Sequence, residues 1–101
     1  MKAAFYNGKG HMEVKEFDTP TPNKGEVLIK LRATGICGSD LNMNKVKSAA
    51  DEEPSGHEVT GEVVEVGREV DKTMLGARVA VEVLGSGKSC GTCWYCRQGQ
   101  Y

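Results

Sequence analysis

Glu26-Val27-Leu28-Ile29-Lys30-Leu31-Arg32-Ala33 runs through Thr34 into Gly35-Ile36-Cys37-Gly38-Ser39-Asp40. The first half is rich in branched apolar residues, with charges at Glu26, Lys30 and Arg32, and reads as a half-buried strand. Gly35 ends it, and Cys37 to Asn44 is predicted to wind into a short helix. Cys37 then sits at the helix start, where backbone N–H groups and the helix dipole favour a thiolate. Twenty residues on, Gly56-His57-Glu58 adds an imidazole and a carboxylate. Thiolate plus imidazole is the ligand mixture preferred by a borderline metal such as zinc. Ser39 sets a hydroxyl beside the thiol, and Asp40 sets a carboxylate that can orient the imidazole. Taken singly, Cys37 and His57 read rather as a buried thiol and a satisfied core histidine; the surrounding motifs favour the metal reading.

Outward from this stretch the chain keeps strand character. Lys2 to Asn7 and Met12 to Phe17 are short strands joined by Asn7-Gly8-Lys9-Gly10, a hairpin-type connection. His11, at the end of that turn, reads as a solvated side chain. Thr19-Pro20-Thr21-Pro22-Asn23-Lys24-Gly25 breaks any regular element. Asn44 to Pro54 reads as a polar surface loop. Val59 to Gly67 is again strand-like, with Gly61 marking a bulge or a close backbone approach. Arg68 to Leu75 reads as a polar connection, Gly76 to Val83 as a further strand, and Gly85 to Ser89 as a loose segment. Short strands, glycine turns and little helix predict a mainly β domain, an irregular barrel or sandwich with few short helices.

The 101 residues suffice for one domain with a modest core. A net charge of -1, with both signs mixed along the chain, argues against a nucleic-acid binder. No apolar run approaches the length of a membrane span, and Met1 to Gly8 lacks the apolar core of a signal peptide. The expected location is therefore cytoplasmic, where four cysteines point to metal or redox chemistry before disulfides. The end at Gly99-Gln100-Tyr101, directly after a cysteine cluster, reads as a cut within a longer chain.

That cluster is Cys90-Gly91-Thr92-Cys93-Trp94-Tyr95-Cys96. Thiols three residues apart can converge on one small ion, and tetrahedral structural zinc takes four such ligands, of which three are present. A ferredoxin-type iron–sulfur run would need a cysteine at position 100, which is Gln100, so zinc is favoured. Trp94 and Tyr95 are expected to cover the metal lobe. Gly87-Lys88-Ser89 lacks the leading glycine of a phosphate-binding loop, since position 82 is Glu82. His57-Glu58 lacks the second histidine of a metalloprotease helix, since position 61 is Gly61. No nucleotide site is visible.

In this order, Gly35-Ile36-Cys37-Gly38-Ser39-Asp40, Gly56-His57-Glu58, Gly61-Glu62-Val63-Val64-Glu65-Val66-Gly67, Gly76-Ala77-Arg78-Val79 and the spaced cysteines resemble one family. It is that of the zinc-dependent medium-chain alcohol and polyol dehydrogenases. The resemblance runs over nearly the whole chain and to their N-terminal catalytic domain, whose fold is GroES-like. It implies that Cys37 and His57 ligate a catalytic zinc, with Glu58 either a direct ligand or a neighbour exchanging with metal-bound water. It implies that Ser39 hydrogen-bonds the substrate alcohol and starts a proton relay, and that Asp40 orients the histidine. Cys90, Cys93 and Cys96 correspond to three of four structural-zinc thiolates, the fourth lying beyond Tyr101.

The implied reaction is oxidation of a small alcohol or polyol to a carbonyl, with hydride passing to NAD or NADP bound by a separate Rossmann domain. Relatives of this kind are commonly dimers or tetramers. The chain departs from the family pattern at Ala77, where an aspartate is usual. Because the Rossmann domain and the fourth cysteine are missing, these residues alone are expected to be inactive. Two other classes stay open on the residues alone: a non-catalytic zinc module whose cysteine lobe contacts proteins, and a purely structural barrel. Ser39-Asp40 behind Cys37 favours the catalytic reading, since a structural zinc has no use for that pair.

Overall fold

A computed structural model describes residues 1–6, 11–43, 54, 56–82 and 89–100. The connection expected at Asn7–Gly10, nearly all of the loop expected over Asn44–Pro54, and the segment Gly85–Lys88 lie outside the described residues. The first two strands, β1 (Lys2–Tyr6) and β2 (Met12–Glu16), pair antiparallel with Ala4 opposite Val14. Their inner face carries Phe5, only 6% exposed, whose ring meets Phe17 edge-on at 6.0 Å. The Lys15 ammonium sits 4.3 Å from the Phe5 ring centroid, a cation over an aromatic face.

A separate three-stranded sheet is formed by β3 (Val27–Thr34), β4 (Val59–Val66) and β5 (Arg78–Ala80), in the order β3-β4-β5 and antiparallel throughout. β4 is therefore the central strand, and its Val63, 1% exposed, is the most deeply buried side chain among the described residues. Burying a valine of this kind stabilises a fold by about 1.5–3 kcal/mol. Gly61 faces Leu31 on one side and Val79 on the other, next to a register shift between Leu31 and Ala33. A Cβ there would run into the Lys30 carbonyl oxygen and lie 2.7 Å from Ile29 Cγ2. Both a bulge and a close backbone approach thus occur at this glycine. Arg32 and Glu62 pair across β3 and β4 at 3.1 Å on the exposed face, where such pairs contribute little.

Three local features depart from the sequence-based expectation. Of the expected strand over Gly76–Val83, whose last residue lies outside the described residues, the described part is regular only over Arg78–Ala80, although Val81 still donates to the Val59 carbonyl at 3.0 Å. The polar connection before it contains a single 3₁₀ turn, Lys72–Met74, capped by the Asp71 carboxylate accepting from the Thr73 N–H at 2.9 Å. A four-residue helix also forms inside the cysteine cluster, as described below. Among the described residues no helix is long and apolar enough to cross a membrane.

Candidate metal centre and active site

The antiparallel pairing of β3 with β4 builds the site. Thr34 lies opposite Val59, and one step further the Gly35 N–H donates to the Glu58 carbonyl at 2.8 Å. Residues leaving β3 and entering β4 therefore share one end of the sheet, which brings Cys37 beside His57 although twenty positions separate them. Gly35 also leaves room for the Glu58 carboxylate, since a Cβ at that position would collide with Glu58 Oε2.

After Gly35 the chain turns into α1 (Gly38–Met43). Cys37 is the residue before the helix, and its N–H donates to Asp40 Oδ2 at 2.8 Å, while the Asp40 N–H donates back to the Cys37 carbonyl at 3.0 Å. A first-turn carboxylate reaching back to the preceding N–H is the logic of a capping box. Asp40 is buried, 8% exposed, and its other oxygen, Oδ1, lies 3.4 Å from His57 Nδ1. One carboxylate thus holds both the cysteine backbone and the imidazole. A proton on Nδ1 directed at Asp40 leaves Nε2 as the ring nitrogen able to bind a metal. Nε2 stands 3.4 Å from the Ser39 hydroxyl oxygen.

The ligating atoms of Cys37, His57 and Glu58 all lie within 4.8 Å of one another, which makes them a candidate metal triad. The Cys37 thiol is held below its ordinary range, chiefly by the Ser39 hydroxyl, then by the Ser39 backbone N–H and by His57. His57 is pushed up, first by its hydrogen bond to Cys37 and then by the negative charges of Asp40, Cys37 and Glu58. The two shifts have one electrostatic sense: the arrangement favours negative charge on Cys37 and positive charge beside it.

The second cluster lies in the loop before and within α2 (Trp94–Arg97). Cys93 and Cys96 Sγ are 3.4 Å apart, Cys90 and Cys96 Sγ are 3.8 Å apart, and all three sulfurs fall within 4.8 Å of each other. Four sulfurs at ~2.3 Å from a tetrahedral zinc lie ~3.8 Å from each other, so these spacings fit the ion. Backbone N–H groups point at the sulfurs: Cys93 N–H to Cys90 Sγ at 3.3 Å and Cys96 N–H to Cys93 Sγ at 3.5 Å. The Thr92 hydroxyl adds a contact to Cys90 Sγ at 3.5 Å. Led by this hydroxyl, these donors pull Cys90 down to about 6. Cys96 is pushed up, mainly by its hydrogen bond with the Cys93 side chain. Trp94 and Tyr95 meet each other edge-on at 5.3 Å, each 63% exposed.

Each residue singled out in the sequence as a ligand or partner therefore falls into one of two groups. Cys37, Ser39, Asp40, His57 and Glu58 converge at the end of the β3–β4 pair, and Cys90, Cys93 and Cys96 converge in the lobe. Two contributors were not singled out in the sequence. Tyr6 reaches across 34 positions to donate its hydroxyl to the Asp40 carbonyl at 2.7 Å, and no local pattern announces such a contact. Thr92 had a signal, a hydroxyl placed between ligand cysteines.

Residues 23–101 match the alcohol dehydrogenase GroES-like domain. The chain belongs to this family. The GroES-like domain described here is 41% identical to a sorbitol dehydrogenase of Bacillus subtilis, over 100% of this chain and 29% of that protein. It is 46% identical to an L-threonine 3-dehydrogenase of Pyrococcus horikoshii, over 88% of this chain and 26% of that protein. Among solved structures it resembles a short chain alcohol dehydrogenase from Escherichia coli CFT073 complexed with NADH. The TM-score is 0.81 and the identity 34%, covering 99% of this chain and 28% of that one. A zinc dependent alcohol dehydrogenase from Streptococcus pneumonia, in its apo form, gives a TM-score of 0.81 at 33% identity, covering 98% of this chain and 28% of that one. The chain thus spans less than a third of the length of these relatives, and the mainly β, GroES-like architecture is common to them.

Proposed function

We propose that these residues are the zinc-binding, substrate-handling domain of an NAD- or NADP-dependent dehydrogenase that oxidises a secondary alcohol or polyol to a carbonyl. The observation that carries the reading is the convergence of Cys37, His57 and Glu58 with Ser39 and Asp40 on either side of one imidazole. A braced imidazole is common to metal sites in general; the exposed hydroxyl beside its other nitrogen is what proton transfer from a bound alcohol requires. The relatives support the substrate class, since sorbitol and L-threonine both offer a secondary hydroxyl, and the NADH complex of one relative supports the cofactor.

The donor set fits zinc, which Cys37, His57 and Glu58 would hold through one thiolate, one imidazole and one carboxylate. When bound there, zinc acts as a Lewis acid that makes a substrate hydroxyl easier to deprotonate. This chain's own residues do the rest. Cys37 and His57 supply the charge and geometry of the cradle. Asp40 keeps the imidazole proton on Nδ1. Ser39, exposed and beside Nε2, takes the hydroxyl proton and hands it to water. Nicotinamide chemistry would belong to a separate cofactor domain in a longer chain. Cys90, Cys93 and Cys96 would hold a second, structural zinc, completed by a fourth ligand outside these residues.

The test is NAD(P)-linked turnover of a panel of secondary alcohols and polyols by the longer protein carrying this domain. A Cys37→Ser variant serves as the control. Turnover in the parent that vanishes in the variant is the expected result. Turnover untouched by Cys37→Ser would remove the reading.

A further inference from the structure

The site stands on a helix of six residues, which is too short to hold its own orientation. Its first turn is tied down from within by the Asp40 carboxylate. A second tie comes from outside. Tyr6, the last residue of β1, donates its hydroxyl to the Asp40 backbone carbonyl at 2.7 Å, in a partly buried setting. That carbonyl belongs to the residue whose carboxylate spans Cys37 N–H and His57 Nδ1. The neighbouring Phe5 is one of the few buried side chains among the described residues, 6% exposed, and it meets Phe17 edge-on. Tyr6 is therefore mounted on the best-packed point of the β1–β2 hairpin, while its hydroxyl ends on the metal-site helix.

We infer that Tyr6 is a positioning residue for the candidate catalytic metal site, fixing α1 so that the Asp40 carboxylate can hold Cys37 and His57 in ligating geometry. The inference rests on the reading of Cys37 and His57 as metal ligands. The phenolic hydroxyl donates and the Asp40 carbonyl accepts. A phenylalanine would fill the same space and leave the carbonyl without this donor. Freed of it, the first turn of α1 rocks, and the distance from Asp40 to the His57 ring varies. A partner acting directly on a ligand is worth about 10- to 100-fold in metal affinity, and one acting a step further out sits at about tenfold or a little below.

The experiment compares Tyr6→Phe with the parent chain in two measurements. The first is cobalt(II) titration, read by the thiolate-to-metal absorption, with Cys93→Ser chains run alongside to separate the lobe's band from that of Cys37. The expected result is about a tenfold weaker affinity at the Cys37–His57 site with the lobe unchanged. The second is amide hydrogen exchange of the metal-free chain, where α1 amides should exchange several-fold faster while β1 and β2 amides keep their rates. Unchanged α1 exchange, or equal loss of protection in hairpin, helix and lobe, would overturn the inference, the latter because it marks a general loss of stability. If the parent binds no cobalt at Cys37 and His57, the metal reading fails, and the exchange comparison still decides the role of Tyr6.

Discussion

Replacing Asp40 by asparagine changes one atom's chemistry and should disable the site. Both carboxylate oxygens are in use: Oδ2 accepts the Cys37 N–H at 2.8 Å, and Oδ1 faces His57 Nδ1 at 3.4 Å. Asparagine offers one oxygen and one NH₂ in nearly the same space. The Cys37 N–H needs an acceptor, so the amide oxygen stays with it and the NH₂ turns to His57. Nδ1 must then accept, which drives the ring proton onto Nε2 and removes the lone pair that a metal would use. Loss of an orienting carboxylate typically weakens a metal site about 10- to 100-fold. The reversed tautomer places this variant near a hundredfold, equal to ~2.8 kcal/mol. The assay is zinc titration against a chromophoric chelator, with the Cys90–Cys93–Cys96 lobe as internal reference. A selective loss at the Cys37 site is expected. Equal affinity in variant and parent would refute the argument, and parallel loss at both sites would show that Asp40 serves folding only.

Cys90 is held down to about 6, so its thiolate fraction rises through that pH and its alkylation by iodoacetamide in the metal-free chain should reach half its limiting rate there. Cys96, pushed up, should lag at pH 7, and peptide mapping that found Cys96 modified first would contradict this. Gly61→Ala should lower stability by about 1–3 kcal/mol in denaturant unfolding, because the new methyl meets backbone between β3 and β4; an unchanged midpoint would speak against that packing. Gly35→Ala should cost less than Gly61→Ala, since the atom it runs into is the end of the flexible Glu58 side chain, with Glu58 Cβ at 3.2 Å giving by a few tenths of an ångström. It should nonetheless alter the cobalt spectrum of the Cys37 site by displacing that carboxylate, and an identical spectrum would place Glu58 outside the metal's reach.

The parts of the fold carried by branched apolar runs were legible in the sequence. Glu26–Ala33 and Val59–Gly67 became β3 and β4 within a residue or two, and Gly35 and Cys37 marked the turn into α1. The convergence of the candidate residues follows from the same strands: Cys37 and His57 flank them, and antiparallel pairing joins their ends. What escaped depends on contacts or on very short elements. Lys72–Met74 and Trp94–Arg97 are one turn each, too brief for any periodic signal. Asp71 before Lys72-Thr73 was a capping cue hidden in a polar stretch. The partition into a hairpin and a separate three-stranded sheet is set by which edges pair, and strand composition carries no record of that.

Two independent sets of side chains in this domain are proposed to hold one metal each. The most direct measurement is zinc per chain, by elemental analysis of protein dialysed against buffered zinc, for the parent and for Cys37→Ser and Cys93→Ser variants. The expected result is two ions per chain in the parent and one in each variant, matching the two clusters. A stoichiometry that Cys37→Ser leaves unchanged would contradict the account, because the residues at the end of the β3–β4 pair would then be holding no metal.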